Sequence, residues 1–330
     1  MTLPQVGPLS LADLQAAIEP RLAQVETEMR RMIEADFPLI SDVNQHLLRM
    51  RGKMFRPTLV LLADEATGGP SSHGATLAAV IELIHLATLV HDDAVDHSVL
   101  RRGMPTINAL FSHQISVIMG DFLYSRAVVE LVRFGDLRAL AILARVTNEM
   151  TIGEMRQLLA HDPLAFSEDQ YDLLIKAKTA SLISGACEVG ALGAPEKYRV
   201  VLARFGEKLG MAFQIVDDLL DYTADESLTG KPSGLDLREH KVTLPLIYAL
   251  PRFSAAERRG LAALLQNPEP ADGEIAAVVA SVAMHGGLDQ ARDRAQRLVM
   301  AAEEDLSLLP ESAARETLRA SLTYVLDRRR

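Results

Sequence analysis

The sequence predicts an all-α protein, and three observations predict it. Apolar residues recur at helical spacing along most of the chain, Ala and Leu abound while Trp is absent, and period-2 runs rich in Val, Ile, Thr and Tyr are missing. Taken in order, helices are expected at 10–35, 38–49, 54–67, 73–97, 105–132, 135–161, 168–192, 197–224, 238–250, 254–266, 272–284, 287–306 and 311–327. Ser10 with Asp13 forms a capped start to the first, and Pro20 interrupts or restarts it. Gly68-Gly69-Pro70 separates the third helix from the fourth, Gly193-Ala194-Pro195 the seventh from the eighth, and the stretch from Gly230 to Gly234 with Pro232 the eighth from the ninth. No low-complexity linker divides the chain, and no repeat of about 20–50 residues is apparent. A single domain, residues 1–330, with about a dozen helices around a shared core is therefore expected.

Composition excludes several classes of function. The chain has 330 residues, 48% of them hydrophobic, enough for one large core. Its net charge of −10 makes it a poor binder of nucleic-acid backbones, so no nucleic acid is expected as a partner. One cysteine, Cys187, forms neither an internal disulfide nor a Cys-based metal knuckle and reads as a small buried residue. The N-terminus shows no basic and apolar signal pattern, and no apolar run approaches the ~18 residues of a spanning helix. A soluble, reduced, cytoplasmic protein is the expectation.

The chemistry concentrates where apolar helices end in carboxylates. Leu83-Ile84-His85-Leu86-Ala87-Thr88-Leu89-Val90-His91 runs into Asp92-Asp93-Ala94-Val95-Asp96. Asp92 and Asp96 share one helix face about 6 Å apart along the axis, where like charges repel. A divalent cation resolves that repulsion, and hard oxygen donors without sulfur favour Mg²⁺, which binds one or two carboxylates plus substrate phosphates. A lone cluster of this kind is usually a solvated helix end. Here Phe213-Gln214-Ile215-Val216-Asp217-Asp218-Leu219-Leu220-Asp221 repeats it at the end of another apolar helix. Two copies predict facing carboxylate clusters with Mg²⁺ ions and a polyphosphate between them. Cations follow each cluster: Arg101 and Arg102 the first, Lys231 and Lys241 the second. Lys53 and Arg56 stand at the mouth of an earlier helix, and Lys178-Thr179 lies inside a third. Together they read as a diphosphate-binding perimeter.

These residues resemble the trans-isoprenyl diphosphate synthases, in the polyprenyl, octaprenyl-like branch. The segment from His91 through Leu100-Arg101-Arg102-Gly103-Met104-Pro105-Thr106 is similar to that family's first aspartate-rich motif with its arginine pair, and Phe213–Asp221 to the second. Gly230-Lys231 to Gly234, Asp236-Leu237 and Lys241-Val242-Thr243-Leu244-Pro245-Leu246 resemble the tail of the second motif. The resemblance covers residues 45–250 well and the C-terminal helices loosely. It implies the isoprenoid synthase fold, helices around a deep central cavity. It also implies Mg²⁺-dependent head-to-tail condensation of isopentenyl diphosphate with an allylic diphosphate, releasing diphosphate. Asp92, Asp96 and Asp217 would ligate several Mg²⁺ ions, with Asp221 joining them and Asp93 and Asp218 in support. Arg101, Lys178 and Lys231 would hold the allylic diphosphate, with Lys241 nearby and Thr179 and Gln214 lining the site. Lys53, Arg56, His85 and Arg102 would hold isopentenyl diphosphate. A homodimer is implied, and the charged heads and greasy tails of substrate and product suggest transient membrane contact on release.

Two positions depart from the family pattern. Met54 stands in Arg51-Gly52-Lys53-Met54-Phe55-Arg56-Pro57 where the family often has Arg, and His240 replaces the Gly of Glu-Gly-Lys. In the family a large aromatic shortly before the first motif closes the product tunnel. Here Ala87 and Thr88 are small, so a medium- or long-chain all-trans product is expected, with the tunnel floor on helix 105–132 at Met119, Phe122 and Leu123. Alternative readings are a farnesyl or geranylgeranyl synthase, a terpene cyclase of the same fold, and a non-catalytic subunit of a heteromeric synthase. Lys53, Arg56, Arg102 and the paired motifs argue against the last two. Glu82-Leu83-Ile84-His85 matches the Glu-x-x-His of di-iron bundles, but no second such pair exists and that reading is rejected. Arg328-Arg329-Arg330 either closes over the site or is a frayed basic tail, and the tail is the reading taken.

Overall fold

The computed structural model describes residues 9–50, 52–158, 163–223 and 234–328. Helices α1 (Leu11–Gln15) and α2 (Glu19–Ile33) are separated by a 3₁₀ turn, Ala16–Ile18. Ser10 and Asp13 form the expected capping box, and Pro20 lies in the first turn of α2, where its missing N–H costs nothing. There follow α3 (Pro38–Arg49), α4 (Phe55–Ala66) and α5 (Gly74–Val95), close to expectation. By length and composition Gly74–Val95 is apolar enough to cross a membrane, contrary to the sequence reading. Inside this protein 67% of its apolar window is buried, because α5 is packed on nearly every side and so carries apolar residues all round.

The helix expected at 105–132 is broken. A short hairpin, β1 (Leu100–Arg101) and β2 (Met104–Pro105), precedes α6 (Ile107–Leu110) and α7 (His113–Phe134). Arg102 and Gly103 both take positive φ, as tight hairpin turns require. Thr106 and Ser112 each accept a backbone N–H as N-caps, which starts two helices where one was expected. Next come α8 (Leu137–Leu158), α9 (Glu168–Ile175), a π-helical turn (Lys176–Ala180), α10 (Ser181–Gly190) and α11 (Glu196–Thr223). The helix expected at 238–250 is also two pieces, α12 (Leu235–Arg238) and α13 (Leu244–Ala249). His240 adopts a left-handed conformation that ends the first, and Pro245 opens the second. The chain closes with α14 (Ala255–Gln266), α15 (Asp272–Met284), α16 (Gly287–Leu306) and α17 (Ala313–Leu326).

All ten residues of α10 are buried, and it packs against α4, α8 and α11. Two glycines permit the approach: a Cβ on Gly190 would meet the Val60 carbonyl at 2.4 Å, and one on Gly206 the Ile183 carbonyl at 2.8 Å. The main core runs through α2, α4, α5, α7, α10, α11, α16 and α17. A smaller cluster around Leu237, Phe253, Leu261 and Ile275 packs the C-terminal helices beneath α11. Each fully buried Leu or Ile, such as Leu83 or Ile183, contributes roughly 1.5–3 kcal/mol.

Candidate active site

The first acidic cluster sits on the last turn of α5. Asp92 is half-buried, Asp93 is 3% exposed and Asp96 is exposed. Burial, and then the Glu154 carboxylate, push Asp92 up to about 6. Asp93 is committed elsewhere: the β1 residue Arg101 grips it with Nε at 2.8 Å and Nη2 at 2.7 Å. The hairpin thus turns Arg101 back onto its own motif.

The second cluster sits at the end of α11. Asp217 is exposed, whereas Asp218 is 4% exposed and accepts from Tyr171 Oη (2.6 Å) and Gln214 Nε2 (2.8 Å). Burial, with the Asp236 charge added, holds Asp218 well above the usual carboxylate range. Asp221 accepts from the backbone N–H groups of Leu235 (3.0 Å) and Asp236 (3.1 Å), which anchors α12. Burial and the neighbouring Asp221 push Asp236 up to about 7.

A polar path joins the two clusters. Lys178 donates to Glu154 (2.6 Å) and Gln157 (3.0 Å), and its charge reaches Asp92. Thr179, next in the chain, donates to Gln214 (2.9 Å), which holds Asp218. Both residues lie on the π-helical turn, a local widening frequent at functional sites. Burial works against the Lys241 ammonium, but Glu239 at 2.6 Å, with Asp236 and Asp96 beyond, keeps its affinity for the proton above the ordinary value. Lys241 therefore feels Asp96 of the first cluster and Asp236 beside the second. Lys231 lies outside the described residues.

The cations expected for the second substrate also converge. Arg56 Nη1 donates to His85 Nε2 at 3.1 Å. Guanidinium has no acceptor, so the His85 proton is on Nδ1. Burial, then the charges of Arg56 and Arg102, hold His85 well below its ordinary range, so the imidazole is neutral. Arg102 donates to the Met50 carbonyl at 2.8 Å, and Lys53 is exposed beside it on the 52–54 segment. Met54 and Arg102 in this group, His97 next to Asp96 and His240 next to Lys241 all have positive φ, the pattern of backbone strain held at a working site. His240 takes the left-handed conformation that Gly adopts freely, and its ring bonds the Asn267 carbonyl at 2.8 Å. Ala87, Met119 and Leu123 are buried in the main core, and Phe122 lies half-buried under Arg126.

Sequence reasoning missed several groups. Glu154 and Gln157 carry no motif. Tyr171 stands two turns from Lys178 without signal. Arg328 corrects the frayed-tail reading: its side chain is 9% exposed, 3.4 Å from Asp217 and stacked 4.0 Å over Phe213. Helix α17 packs against α4 and delivers it there. Arg329 and Arg330 lie outside the described residues. A cleft of about 760 Å³ opens beside Lys53, Gln15, Tyr324 and Arg328, not between the aspartates.

Residues 37–282 match the family model described as polyprenyl synthetase. The chain is 36% identical over 322 residues to an octaprenyl diphosphate synthase of Haemophilus influenzae, covering 96% of each. It resembles the crystal structure of a decaprenyl diphosphate synthase from Rhodobacter capsulatus with a TM-score of 0.91 at 38% identity, over 97% of this chain and 100% of that one. A polyprenyl synthase from Caulobacter crescentus, crystallised with calcium and isoprenyl diphosphate, matches with a TM-score of 0.92 at 34% identity, over 98% and 99%.

Proposed function

The chain belongs to the polyprenyl synthetase family, is a prenyltransferase with the all-α isoprenoid synthase fold, and from that premise we propose how its site works. The reaction joins isopentenyl diphosphate to an allylic diphosphate head to tail and releases diphosphate; the product is a medium- or long-chain all-trans polyprenyl diphosphate. The observation that carries the site assignment is the path from Asp92 through Lys178, Thr179 and Gln214 to Asp218, which binds two acidic motifs distant in sequence into one polar centre.

Asp92, Asp96, Asp217 and Asp221 would hold Mg²⁺. Arg101 occupies Asp93, Tyr171 and Gln214 occupy Asp218, and backbone amides occupy Asp221, so Asp92 and Asp96 offer the freer oxygens, with Asp217 exposed and paired to Arg328 at 3.4 Å. Among the described residues no three acidic or imidazole groups form a ready-made cage, as suits an ion that completes its shell with water and phosphate. The donors fit it: all are oxygen, and burial followed by neighbouring carboxylates raises Asp92 and Asp236, a cost that a divalent cation would relieve. Such an ion, when bound, neutralises charge on the diphosphate that departs.

Arg101, Lys178 and Lys231 would orient the allylic diphosphate, with Lys241 adding charge and Thr179 and Gln214 lining the site. Lys53, Arg56, His85 and Arg102 would grip isopentenyl diphosphate. The apolar faces of α5 and α7 exclude water, which would quench an allylic cation. The proton lost from the isopentenyl unit passes to the departing diphosphate, so no protein base is required. Ala87 and Thr88 leave room along α5 for a growing chain.

We also read the chain as one domain, cytoplasmic and homodimeric, with transient membrane contact on release. Ile118 and Val132 on α7, with Leu137 and Met155 on α8, are exposed apolar side chains that a second copy would cover. The test is incubation with isopentenyl diphosphate and a panel of allylic primers, with Mg²⁺ or EDTA, followed by mass spectrometry. A Mg²⁺-dependent ladder ending above the geranylgeranyl rung is expected. A ladder stopping at farnesyl or geranylgeranyl overturns the product length, cyclic hydrocarbons point to a cyclase, and inert folded protein points to a subunit awaiting its partner.

A further inference from the structure

Glu82 is a buried acid that this chemistry leaves unused. It lies one turn before His85 on α5, is 3% exposed, and forms no ion pair among the described residues. A buried carboxylate is costly to keep ionised unless cations stand against it. Here they do. A Cβ built on Gly52 would lie 2.9 Å from Glu82 Oε1 and 3.3 Å from Arg102 Nη1, so carboxylate and guanidinium press on the same glycine. A side chain at position 52 would push them apart. Arg56 acts on it as well: burial raises Glu82 above the usual carboxylate range, the charges of Arg56 and Arg102 pull against that rise, and the Glu82 charge acts on both guanidinia.

Each guanidinium has part of its fork committed. Arg102 Nη1 holds the Met50 carbonyl and Arg56 Nη1 holds His85, while Arg56 Nε is buried without a partner. A guanidinium carries five donors in one plane, so one edge can face a carboxylate while another faces a phosphate. Neutral His85 cannot balance two adjacent guanidinia, and Glu82 is the acid set beside them at Gly52.

We propose that Glu82 is a positioning residue for isopentenyl diphosphate: its carboxylate stands behind Arg56 and Arg102 and turns their open edges toward the diphosphate. Gly52 belongs to the same device, as the position whose missing side chain leaves room for carboxylate and guanidinium together. The proposal rests on the assignment of Lys53, Arg56, His85 and Arg102 to that substrate. It makes no claim on the allylic diphosphate, which the aspartate motifs serve.

The test is Glu82→Gln, which keeps the shape and removes the charge, with Glu82→Asp as the variant that keeps the charge. Steady-state kinetics are measured on the full chain with each substrate varied in turn, alongside thermal unfolding. For Glu82→Gln the KM for isopentenyl diphosphate rises about tenfold, as for loss of one charge-assisted contact. The KM for the allylic diphosphate stays within about twofold, and the unfolding temperature does not fall. Glu82→Asp recovers part of the loss. An isopentenyl diphosphate KM that is unchanged or lowered overturns the proposal. So does a rise in both KM values together, or a lowered unfolding temperature with equal defects in both variants, either of which marks a structural residue. Wild-type turnover in the same assay separates these results from failure of the synthase reading: inert wild type sinks the substrate assignment and the proposal with it.

Discussion

Asp92→Asn should make the metal-free protein more stable while destroying its activity. Burial and the Glu154 carboxylate push Asp92 up to about 6 from 3.8, with Asp96 adding to them and Lys178 and Arg101 opposing. The folded chain therefore holds that proton more tightly than the unfolded chain. The shift is roughly two units at ~1.36 kcal/mol each, so about 3 kcal/mol is its upper bound. The sign follows from linkage: the stability is fully present below pH ~4 and is lost as pH rises through about 6. In EDTA near neutral pH, wild type carries this penalty and the Asn variant does not. Unfolding entropy of about 2.1 cal/mol/K per residue gives a chain of this length ~0.7 kcal/mol per degree, so the variant melts about 2–4 °C higher. At pH 4 the difference disappears. Scanning calorimetry at both pH values reads it, and turnover with Mg²⁺ reads the cost. An amide is a poor ligand for a hard cation, so turnover falls roughly 100-fold or more. A variant that melts below wild type in EDTA near neutral pH, or that keeps its turnover, refutes the reasoning.

Other perturbations probe other parts of the site. Tyr171→Phe removes the 2.6 Å donor to buried Asp218 and should cost about 1.5–3 kcal/mol in chemical denaturation; no loss would mean that Gln214 alone satisfies the carboxylate. Ala87→Tyr places a large side chain one turn before the first motif and should shorten the product ladder by mass spectrometry. An unchanged ladder would make Ala87 a packing residue only. His240→Gly relieves about 1–2 kcal/mol of left-handed strain and gives up a hydrogen bond to Asn267 worth about 0.5–1.5 kcal/mol, so its stability by urea titration should lie within about 1 kcal/mol of wild type. A loss of several kcal/mol would mean the ring anchors more than that one bond.

Local patterns carried much of the fold. The start of α1 was legible because Ser10 and Asp13 satisfy each other across a single turn, and α14, α15 and α16 fell within a residue of expectation because Pro and Gly bound them. Where expectation failed, a nonlocal or single-residue feature decided the path. The periodicity of 105–132 continues through the break, whereas in the folded chain the caps at Thr106 and Ser112 start two helices. Likewise the π-helical turn at Lys176–Ala180 leaves no mark on hydrophobic spacing, since one widened turn shifts the phase too little to see.

By itself the sequence determined the all-α class, the two aspartate motifs and the cations around them, because helix period and the clustering of like charges are properties of neighbours along the chain. The tertiary structure alone decided which carboxylates are open and which are held. Asp93 on α5 pairs with Arg101 on the first strand of the hairpin, and Asp218 meets Tyr171 across two helices. Only packing could bring Arg328 from the far end of the chain to Asp217, or press Glu82 and Arg102 against the same glycine, Gly52. The physical reason is common to all four. Burial gives a charge its energetic weight, and burial is set by whatever the fold stacks against it, not by what precedes it in sequence.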